Sequence, residues 1–496
     1  MTNRTEYWDV IVVGAGNAAH AAAVSACESG AQRVLMLEKA PEDLRGGNTH
    51  YSGGLLRLAF DTPDALLRLI PDVQTEVPDF LTGVAPYPAE AFWSDLRRVT
   101  RGGIDPDLGD LLVSRSFDTA CWMVGQGIRM EAAVSLAAIE FDGAVKWPSG
   151  AVVRAVDEGV GLSRMWFEIA SRRGVVLRYQ TGAQQLIQDG SGRISGVVVR
   201  DPDGISRLDA GSVVLACGGF EANPEWRARY LQRPWDMARV RGTAYNTGDG
   251  LRMALELGAL PFGQWSGNHG TPIDADAPPF GDRHLTDKTN RLSYPLGVMV
   301  NTDGDRFIDE GEDFQLYTYA KTGGAILCQP GNVAYQIFDA KVTSLLEPRY
   351  VTGDPLVADT LDELIDKLPV GKTRLNESLA AYNAAVGEVS FDPTVHDGLE
   401  TKGLTPSKSN WAQALDTPPF RAYPVTGGIT FTFGGLRIDQ NAQVLASDWT
   451  PIEGLYTCGE MVGGLFHHNY PGGSGLTSGA VFGRIAGRSA AESALP

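Results

Sequence analysis

The chain has 496 residues, of which 59 are glycine and 43% are hydrophobic. This length allows two or three domains with a large buried core and excludes a small disulfide-stapled scaffold. The 42 basic and 60 acidic residues give a net charge of −18, which makes nucleic acid an improbable partner. The five cysteines lie far apart without metal-ligand spacing, so we expect neither a metal site nor a disulfide framework.

The chain also lacks the patterns of membrane and secreted proteins. No uncharged apolar stretch reaches the roughly 18 residues that span a bilayer, and the N-terminus lacks a signal-peptide pattern. We therefore expect a cytoplasmic protein without an integral membrane segment.

The N-terminus predicts a strand–helix–strand unit. An apolar run at 8–13 indicates a buried strand, the Ala-rich stretch 18–29 a helix, and 33–38 a second strand. Gly14-x-Gly16-x-x-Ala19 joins the first strand to the helix, and Glu38 ends the second strand. These glycines permit a tight turn against a pyrophosphate at a helix N-terminus, and the acid accepts hydrogen bonds from a ribose. The unit predicts a dinucleotide site in a doubly wound sheet.

Further segments extend this pattern along the chain. Gly-rich runs follow at 46–54 and, after a strand, at 218–219; each is about as readily an ordinary turn as a cofactor contact. Strands are expected at 195–200, 212–216 and 454–458, helices mainly at 361–388, and a boundary loop at 271–284.

The C-terminus carries the most informative pattern. A strand ends at Gly459-Glu460, and the Gly-rich loop 470–477 then opens a small-residue helix over 478–491. Such a helix start can direct N–H groups at the electron-rich edge of a flavin, while Glu460 binds ribityl hydroxyls. Dinucleotide-type elements at both ends of the chain favour an extended FAD over a detachable NAD.

Several segments together resemble a known family. DVIVVGAGNAAHAAA, RGGNTHYSGG, LACGGFEANPEW, RGTAYNTGDG, RFIDEGEDF, GLTPSKSNWAQALDTPPF, GITFTFGGLRID and CGEMVGG…SGAVFGRIAG are similar to FAD-dependent tricarballylate dehydrogenases of the succinate dehydrogenase/fumarate reductase flavoprotein superfamily. The resemblance implies an α/β fold in which a Rossmann-like FAD-binding domain (1–263 and 432–496) is interrupted by an α+β capping domain (264–431). It also implies that two hydrogens are removed from, or added to, a C–C bond.

The motifs and the resemblance yield one set of candidate FAD-binding residues. They are Gly14, Gly16, Asn17, Ala18, Glu38, Lys39, Gly46, Gly47, Asn48, Thr49, Ser52, Gly53, Gly54, Ala183, Ala216, Gly218, Gly219, Asn246, Asp249, Gly459, Glu460, Ser474, Gly475, Leu476 and Thr477. His50 lies near the expected flavin but out of register with covalent histidyl-flavin members, so we expect non-covalent FAD.

The chain departs from soluble fumarate reductases where they bind substrate. Tyr470 stands in place of their substrate-binding arginine, and Phe431 stands in place of a substrate-binding histidine. The arginine that follows their Phe-x-x-Glu motif and acts as the acid has no counterpart in this chain. The Tyr470-Pro471-Gly472 run resembles the tail of 3-ketosteroid dehydrogenases, in which a tyrosine hydroxyl polarises a ketone. We therefore expect the reacting C–C bond of the substrate to be activated either by a carbonyl group or by several carboxylates.

Desaturation needs a proton acceptor and a group that stabilises developing charge on the substrate oxygen. Tyr470 is the favoured hydrogen-bond donor, and His468 or Tyr319 the favoured proton acceptor; His467 and Tyr317 are further catalytic candidates. The resemblance implies that His269, Arg57, Arg241 and Thr432 bind substrate.

Three functions remain open at this point. The first is a dehydrogenase of a small carbonyl or polycarboxylate compound such as tricarballylate, which passes electrons to a separate acceptor. The second is an enone/3-ketosteroid-type dehydrogenase or, in the opposite direction, a fumarate-reductase-like reductase of an enone or acrylate C=C bond. The third is a non-catalytic flavin-binding protein.

Overall fold

The computed structural model describes residues 6–495. Eight strands of this range form one sheet, and its central strands are parallel. In order, the strands are Gln443–Leu445, Pro451–Thr457, Gly204–Leu215, Glu6–Val13, Val34–Leu37 and Val176–Arg178, with Ile194–Asp201 and Gly182–Gln188 added antiparallel beside Gly204–Leu215. The expected strand–helix–strand start is confirmed, because helix Asn17–Glu28 connects the paired strands Glu6–Val13 and Val34–Leu37.

The C-terminal helix Ser474–Ala494 packs side by side against helix Asn17–Glu28. A Cβ atom at Gly487 would lie 2.0 Å from the carbonyl oxygen of Ala22. The small-residue pattern thus lets the two backbones touch. Asn17 Nδ2 donates to the Leu476 carbonyl oxygen at 2.8 Å, so both helix N-termini lie at the same edge of the sheet.

A second sheet of six strands forms around the long strand Phe420–Thr432. Its other strands are Arg239–Val240, Asn268–Asp274, Val298–Asn301, Val333–Phe338 and Leu356–Ala358. Helix Gln315–Leu327 packs on this sheet. The segment 271–284 begins inside a strand rather than a loop, because its first residues pair with Phe420–Thr432 and are buried.

The remaining elements surround these two sheets. The longer helices are Ala89–Val99, Pro106–Gln126, Glu158–Arg172, Asp249–Glu256, Leu361–Lys367 and Lys372–Ala385. The shorter ones are Gly47–His50, Val73–Glu76, Phe80–Gly83, Val134–Ala137 and Pro224–Trp226. Small sheets are formed by Leu55–Leu56, Met130–Ala132 and Val153–Ala155, by Ile139–Phe141 and Ala144–Lys146, and by Pro261–Phe262 and Gly435–Leu436.

The mixed α/β architecture agrees with the expected fold class. The domain division at 263/264 and 431/432 stays a prediction; strand Arg239–Val240 already pairs with the second sheet ahead of the first boundary. No helix within residues 6–495 is long and apolar enough to cross a membrane.

Candidate functional site

A large cavity lies where the carboxyl ends of the parallel strands meet the two helix N-termini. It holds about 1510 Å³ of space free of protein atoms, part of it open to solvent. Most of the expected FAD-binding residues line it: Gly14, Gly16, Asn17, Ala18, Glu38, Lys39, Gly47, Asn48, Thr49, Ser52, Ala183, Ala216, Gly218, Asn246, Asp249, Gly459, Glu460, Gly475 and Leu476. Segments from both ends of the chain therefore form one site.

Six other expected FAD-binding residues are not among those that line the cavity: Gly46, Gly53, Gly54, Gly219, Ser474 and Thr477. Their neighbours explain why the sequence motifs include them. A Cβ atom at Gly54 would lie 2.7 Å from the backbone of Glu158, and Thr477 Oγ1 donates to the Arg57 carbonyl oxygen at 3.1 Å. These positions shape the wall, and contact with a cofactor stays a prediction for them.

One end of the cavity fits a dinucleotide phosphate and ribose. Gly14 has φ +116°, and a Cβ atom there would lie 2.3 Å from the Ala216 carbonyl oxygen, so only glycine permits this turn. The start of the following helix is linked to the 46–54 segment, because Asn17 N donates to Thr49 Oγ1 at 2.8 Å. Glu38 is almost fully buried at the cavity wall, and burial raises the pKa of its carboxyl. These donors and this acid match the anionic and hydroxyl groups of FAD.

The opposite end of the cavity is aromatic. The His269 ring stacks on Phe431 at 5.1 Å between centroids, and the Tyr470 ring meets His269 edge-on at 4.9 Å and Phe466 at 5.1 Å. All four rings line the cavity. Burial lowers the pKa of His269 well below its usual value, so this imidazole is neutral at neutral pH.

Tyr470 forms a hydrogen-bonded pair with Tyr319 of helix Gln315–Leu327. The Tyr319 hydroxyl donates to the Tyr470 oxygen at 2.9 Å, and Gly473 N donates to the same oxygen at 3.2 Å. With both acceptor positions used, the Tyr470 proton is free to be donated into the cavity. Burial raises the pKa of Tyr319 well above its usual value, and the charges of Arg241 and Arg349 oppose this rise.

Arg241 brings a positive charge to the cavity wall. Its Nε donates to Thr430 Oγ1 at 3.0 Å and its Nη1 to the Tyr51 carbonyl oxygen at 3.5 Å. No carboxylate of residues 6–495 lies within ion-pair distance of it; the nearby Asp287 pairs with Arg349 at 2.8 Å. Burial lowers the pKa of Arg241, but a guanidinium stays protonated.

Arg57 and Tyr317 lie outside the cavity, in a buried cluster that also contains Tyr87 and Asp95. Arg57 Nη1 donates to both tyrosine hydroxyls at 2.9 Å, and both hydroxyls donate to Asp95 Oδ2 at 2.6 Å. Helical geometry explains the placement of Tyr317, because residues two apart on a helix diverge. Tyr317 contacts Arg57, whereas Tyr319 contacts the cavity-lining Tyr470. The Arg57 cluster therefore links segments of the two predicted domains; Arg57 does not line the cavity, and its substrate contact stays a prediction.

The two adjacent histidines also lie outside the cavity wall. The His467 ring packs on Gly103, where a Cβ atom would lie 2.4 Å from the ring. His468 adopts φ +62°, and its backbone N donates to Gln264 Oε1 at 2.6 Å. The neighbouring turn directs Tyr470, rather than either histidine, into the site. Thr432 lines the cavity, but its N and Oγ1 both donate to Glu460 Oε1, at 2.8 and 3.2 Å, which places it beside the expected cofactor.

Comparison with known proteins identifies the family. The model described as "FAD binding domain" matches residues 9–476. The chain is 30% identical over 500 residues to a probable fumarate reductase of Shewanella frigidimarina, covering 99% of this chain and 76% of that protein. The chain belongs to the FAD-binding family of fumarate reductase flavoproteins. FAD as cofactor and oxidoreductase activity at a CH–CH or C=C bond are therefore confirmed.

Other relatives of this flavoprotein carry names from both directions of the reaction. A 4-oxocyclohexanecarboxylate 2-dehydrogenase of Sinomonas cyclohexanicum is 27% identical, over 99% of this chain and 94% of that protein. The fold matches an open flavocytochrome c3 fumarate reductase with a TM-score of 0.73 at 27% identity, covering all of this chain and 80% of that one. It also matches a 3-ketosteroid Δ1-dehydrogenase of Sterolibacterium denitrificans with a TM-score of 0.75 at 22% identity, over 99% and 100% of the two chains.

One residue of this flavoprotein's site was not among the sequence candidates. Glu221, in the quoted segment LACGGFEANPEW, lies fully buried directly behind the cavity. Its carboxyl accepts hydrogen bonds from Asn48 and Asn246, which both line the cavity. An acid six residues after the strand Gly204–Leu215, which ends at the cavity, was the available signal.

Proposed function

We propose that this flavoprotein is a dehydrogenase that desaturates the C–C bond next to a ketone in a small molecule carrying one carboxylate. The observation that carries the proposal is the free proton of Tyr470 in an aromatic-lined cavity end. A hydroxyl whose oxygen already accepts two hydrogen bonds is a strong donor to a substrate carbonyl oxygen.

The Tyr319–Tyr470 pair can remove the α proton of the substrate without a charged base. The α proton moves to the Tyr319 oxygen, the Tyr319 proton moves to Tyr470, and the Tyr470 proton moves to the carbonyl oxygen. The ketone becomes an enol, and each tyrosine ends the step neutral. When the hydride leaves the β carbon, the enol O–H proton is released to solvent, so the substrate loses one proton and one hydride in total. Bound FAD supplies the acceptor for the hydride that leaves the β carbon.

Arg241 supports a substrate with a single carboxylate. It brings a guanidinium to the cavity wall without a carboxylate partner of its own, and such a group pairs readily with a carboxylate. The remaining wall near Tyr470 consists of aromatic rings, which suit a ring or hydrocarbon body better than further carboxylates. This favours a keto acid over tricarballylate, which was the polycarboxylate expected from the sequence resemblance.

A panel of related compounds tests this proposal with an artificial electron acceptor and product identification. We expect 4-oxocyclohexanecarboxylate to be oxidised, cyclohexanone to be oxidised with a much higher KM, and cyclohexanecarboxylate to be inert because it lacks the ketone. Oxidation of tricarballylate but of no ketone would contradict the proposal and restore the polycarboxylate hypothesis.

Reduction of a C=C bond is the second candidate, and the reductase names among the relatives favour it. The same hydrogen bond from Tyr470 would polarise an unsaturated ketone for hydride addition. Chemically reduced enzyme mixed anaerobically with fumarate and with the matching enone separates the cases: we expect reoxidation by the enone only. A separate electron acceptor for the dehydrogenase direction is part of the same proposal.

A further inference from the structure

Only one of the two carboxyl oxygens of the buried Glu221 accepts hydrogen bonds from the described residues. Its Oε1 accepts hydrogen bonds from Asn48 Nδ2 at 2.7 Å and from Asn246 Nδ2 at 2.6 Å. Its Oε2 is buried, and no hydrogen-bond donor within residues 6–495 reaches it. An ionised oxygen left in this state would carry a large desolvation cost.

The polar group in contact with Glu221 is the carboxyl of Glu460. Glu460 Oε1 accepts from the Thr432 backbone at 2.8 Å, and a Cβ atom at Gly219 would lie 2.1 Å from this oxygen. The Thr432 hydrogen bond and the close Gly219 backbone therefore position the Glu460 carboxyl, and the two amide hydrogen bonds position that of Glu221. Two strands that end at the cavity, Gly204–Leu215 and Pro451–Thr457, thus bring two acids together.

Two carboxylates in contact inside a protein do not both ionise at neutral pH. Burial raises the pKa of both groups, and Glu221 raises that of Glu460 further. The charged group that faces Glu221 from the neighbouring turn is Arg227, whose Nη1 donates to the Glu221 backbone oxygen at 3.0 Å and not to its carboxyl. The other contacts are the neutral amides of Asn48 and Asn246 and the hydroxyl and backbone of Thr432.

We propose that Glu221 and Glu460 share one proton at neutral pH, and that Glu221 is a positioning residue that holds Glu460 against the FAD cavity. The shared proton forms an O–H···O bond between the two carboxyls and gives the buried Glu221 Oε2 its missing partner. The pair carries a charge of −1 instead of −2 beside the site of an anionic cofactor. This inference depends on the FAD family alone and not on the proposed substrate.

Infrared difference spectra of the FAD-loaded protein test the shared proton directly. The variants are Glu221→Gln and Glu460→Gln, and the matched control is Glu225→Gln, an exposed acid four residues from Glu221. We expect both wild-type-minus-variant spectra at pH 7 to contain one C=O stretching band of a protonated carboxyl that shifts in D₂O, and the control difference to contain none. Absence of this band from both differences would overturn the proposal; if one variant is not recovered folded, the other alone decides.

The pH dependence of unfolding supplies a second readout at fixed FAD concentration. The pKa of the pair is raised in the folded state, so the folded protein keeps a proton that the unfolded chain releases above pH of about 4.3. The contribution of the pair to stability therefore falls as pH rises, and the unfolding constant of the wild type should grow up to about tenfold per pH unit faster than that of Glu221→Gln. In the variant the Gln amide donates to an ionised Glu460. Parallel curves for the two proteins would contradict the shared proton.

Discussion

The tyrosine pair yields the sharpest prediction about catalysis. Tyr470→Phe removes a hydroxyl proton that is free to reach a substrate oxygen, because the Tyr470 oxygen already accepts from Tyr319 at 2.9 Å and from Gly473 at 3.2 Å. Removal of such a donor costs about 3 to 4 kcal/mol of transition-state stabilisation, or roughly 100- to 1,000-fold in kcat. Tyr319→Phe breaks the same relay and should cost a similar factor.

The double variant is the decisive part of this prediction. Residues that act as one unit give strongly non-additive losses, so the double variant should be no more than a few-fold slower than either single variant. Pre-steady-state reduction of the flavin by 4-oxocyclohexanecarboxylate measures the step directly. Tyr382→Phe, which removes a buried hydroxyl hydrogen-bonded to the Gln413 carbonyl oxygen, is the matched control and should leave the rate unchanged. Losses of the two single variants that multiply in the double variant would refute the relay.

Three further predictions concern the cavity and the packing. Arg241→Met should raise KM for a keto acid by about 10- to 100-fold, the value of a charged hydrogen bond, with little change for the uncharged ketone; equal effects on both compounds would remove the carboxylate contact. Gly487→Val should destabilise the protein by about 1 to 3 kcal/mol or more through overpacking against Ala22, whereas Gly190→Val, which meets nothing within 4 Å, should not, as thermal unfolding can check. Asp95→Asn strips the fully buried Arg57 of its ion pair and should cost about 3 to 5 kcal/mol in chemical unfolding; a loss below 1 kcal/mol would show that the tyrosines suffice.

The sequence predicted which backbone segments line the cavity. Gly14, Gly16 and Glu38 lie in a strand–helix–strand unit whose residues are close along the chain, so turn chemistry alone indicates their role. The C-terminal Gly-rich run was equally readable, because strand, acid, loop and helix follow one another without interruption. In both cases local structure determines what the residues face.

The sequence was less informative about side chains that meet across the molecule. Arg57, Tyr317 and Asp95 come from three distant segments, so no spacing along the chain indicates that they form one buried cluster. The direction of the His467 and His468 rings was equally hard to predict, because proximity in sequence to the Gly-rich loop does not determine where a side chain points.

Glu221 is a site residue that the sequence did not indicate, for the same reason. Its partner Glu460 lies 239 positions further along the chain, and only the neighbouring parallel strands bring the two carboxyls together. From the sequence alone, two acidic residues are expected at the solvated surface, and only the fold shows that both are buried.

Anaerobic titration of the purified yellow protein with 4-oxocyclohexanecarboxylate tests the central claim most directly, because it requires the cavity built by both ends of the chain, its FAD and the tyrosine pair to act together. The account predicts that one equivalent bleaches the flavin absorbance and appears as the α,β-unsaturated ketone, and that Tyr470→Phe binds FAD normally but bleaches roughly 100- to 1,000-fold more slowly. A wild-type flavin that no ketone bleaches, or a Tyr470→Phe variant that bleaches as fast as the wild type, would contradict it.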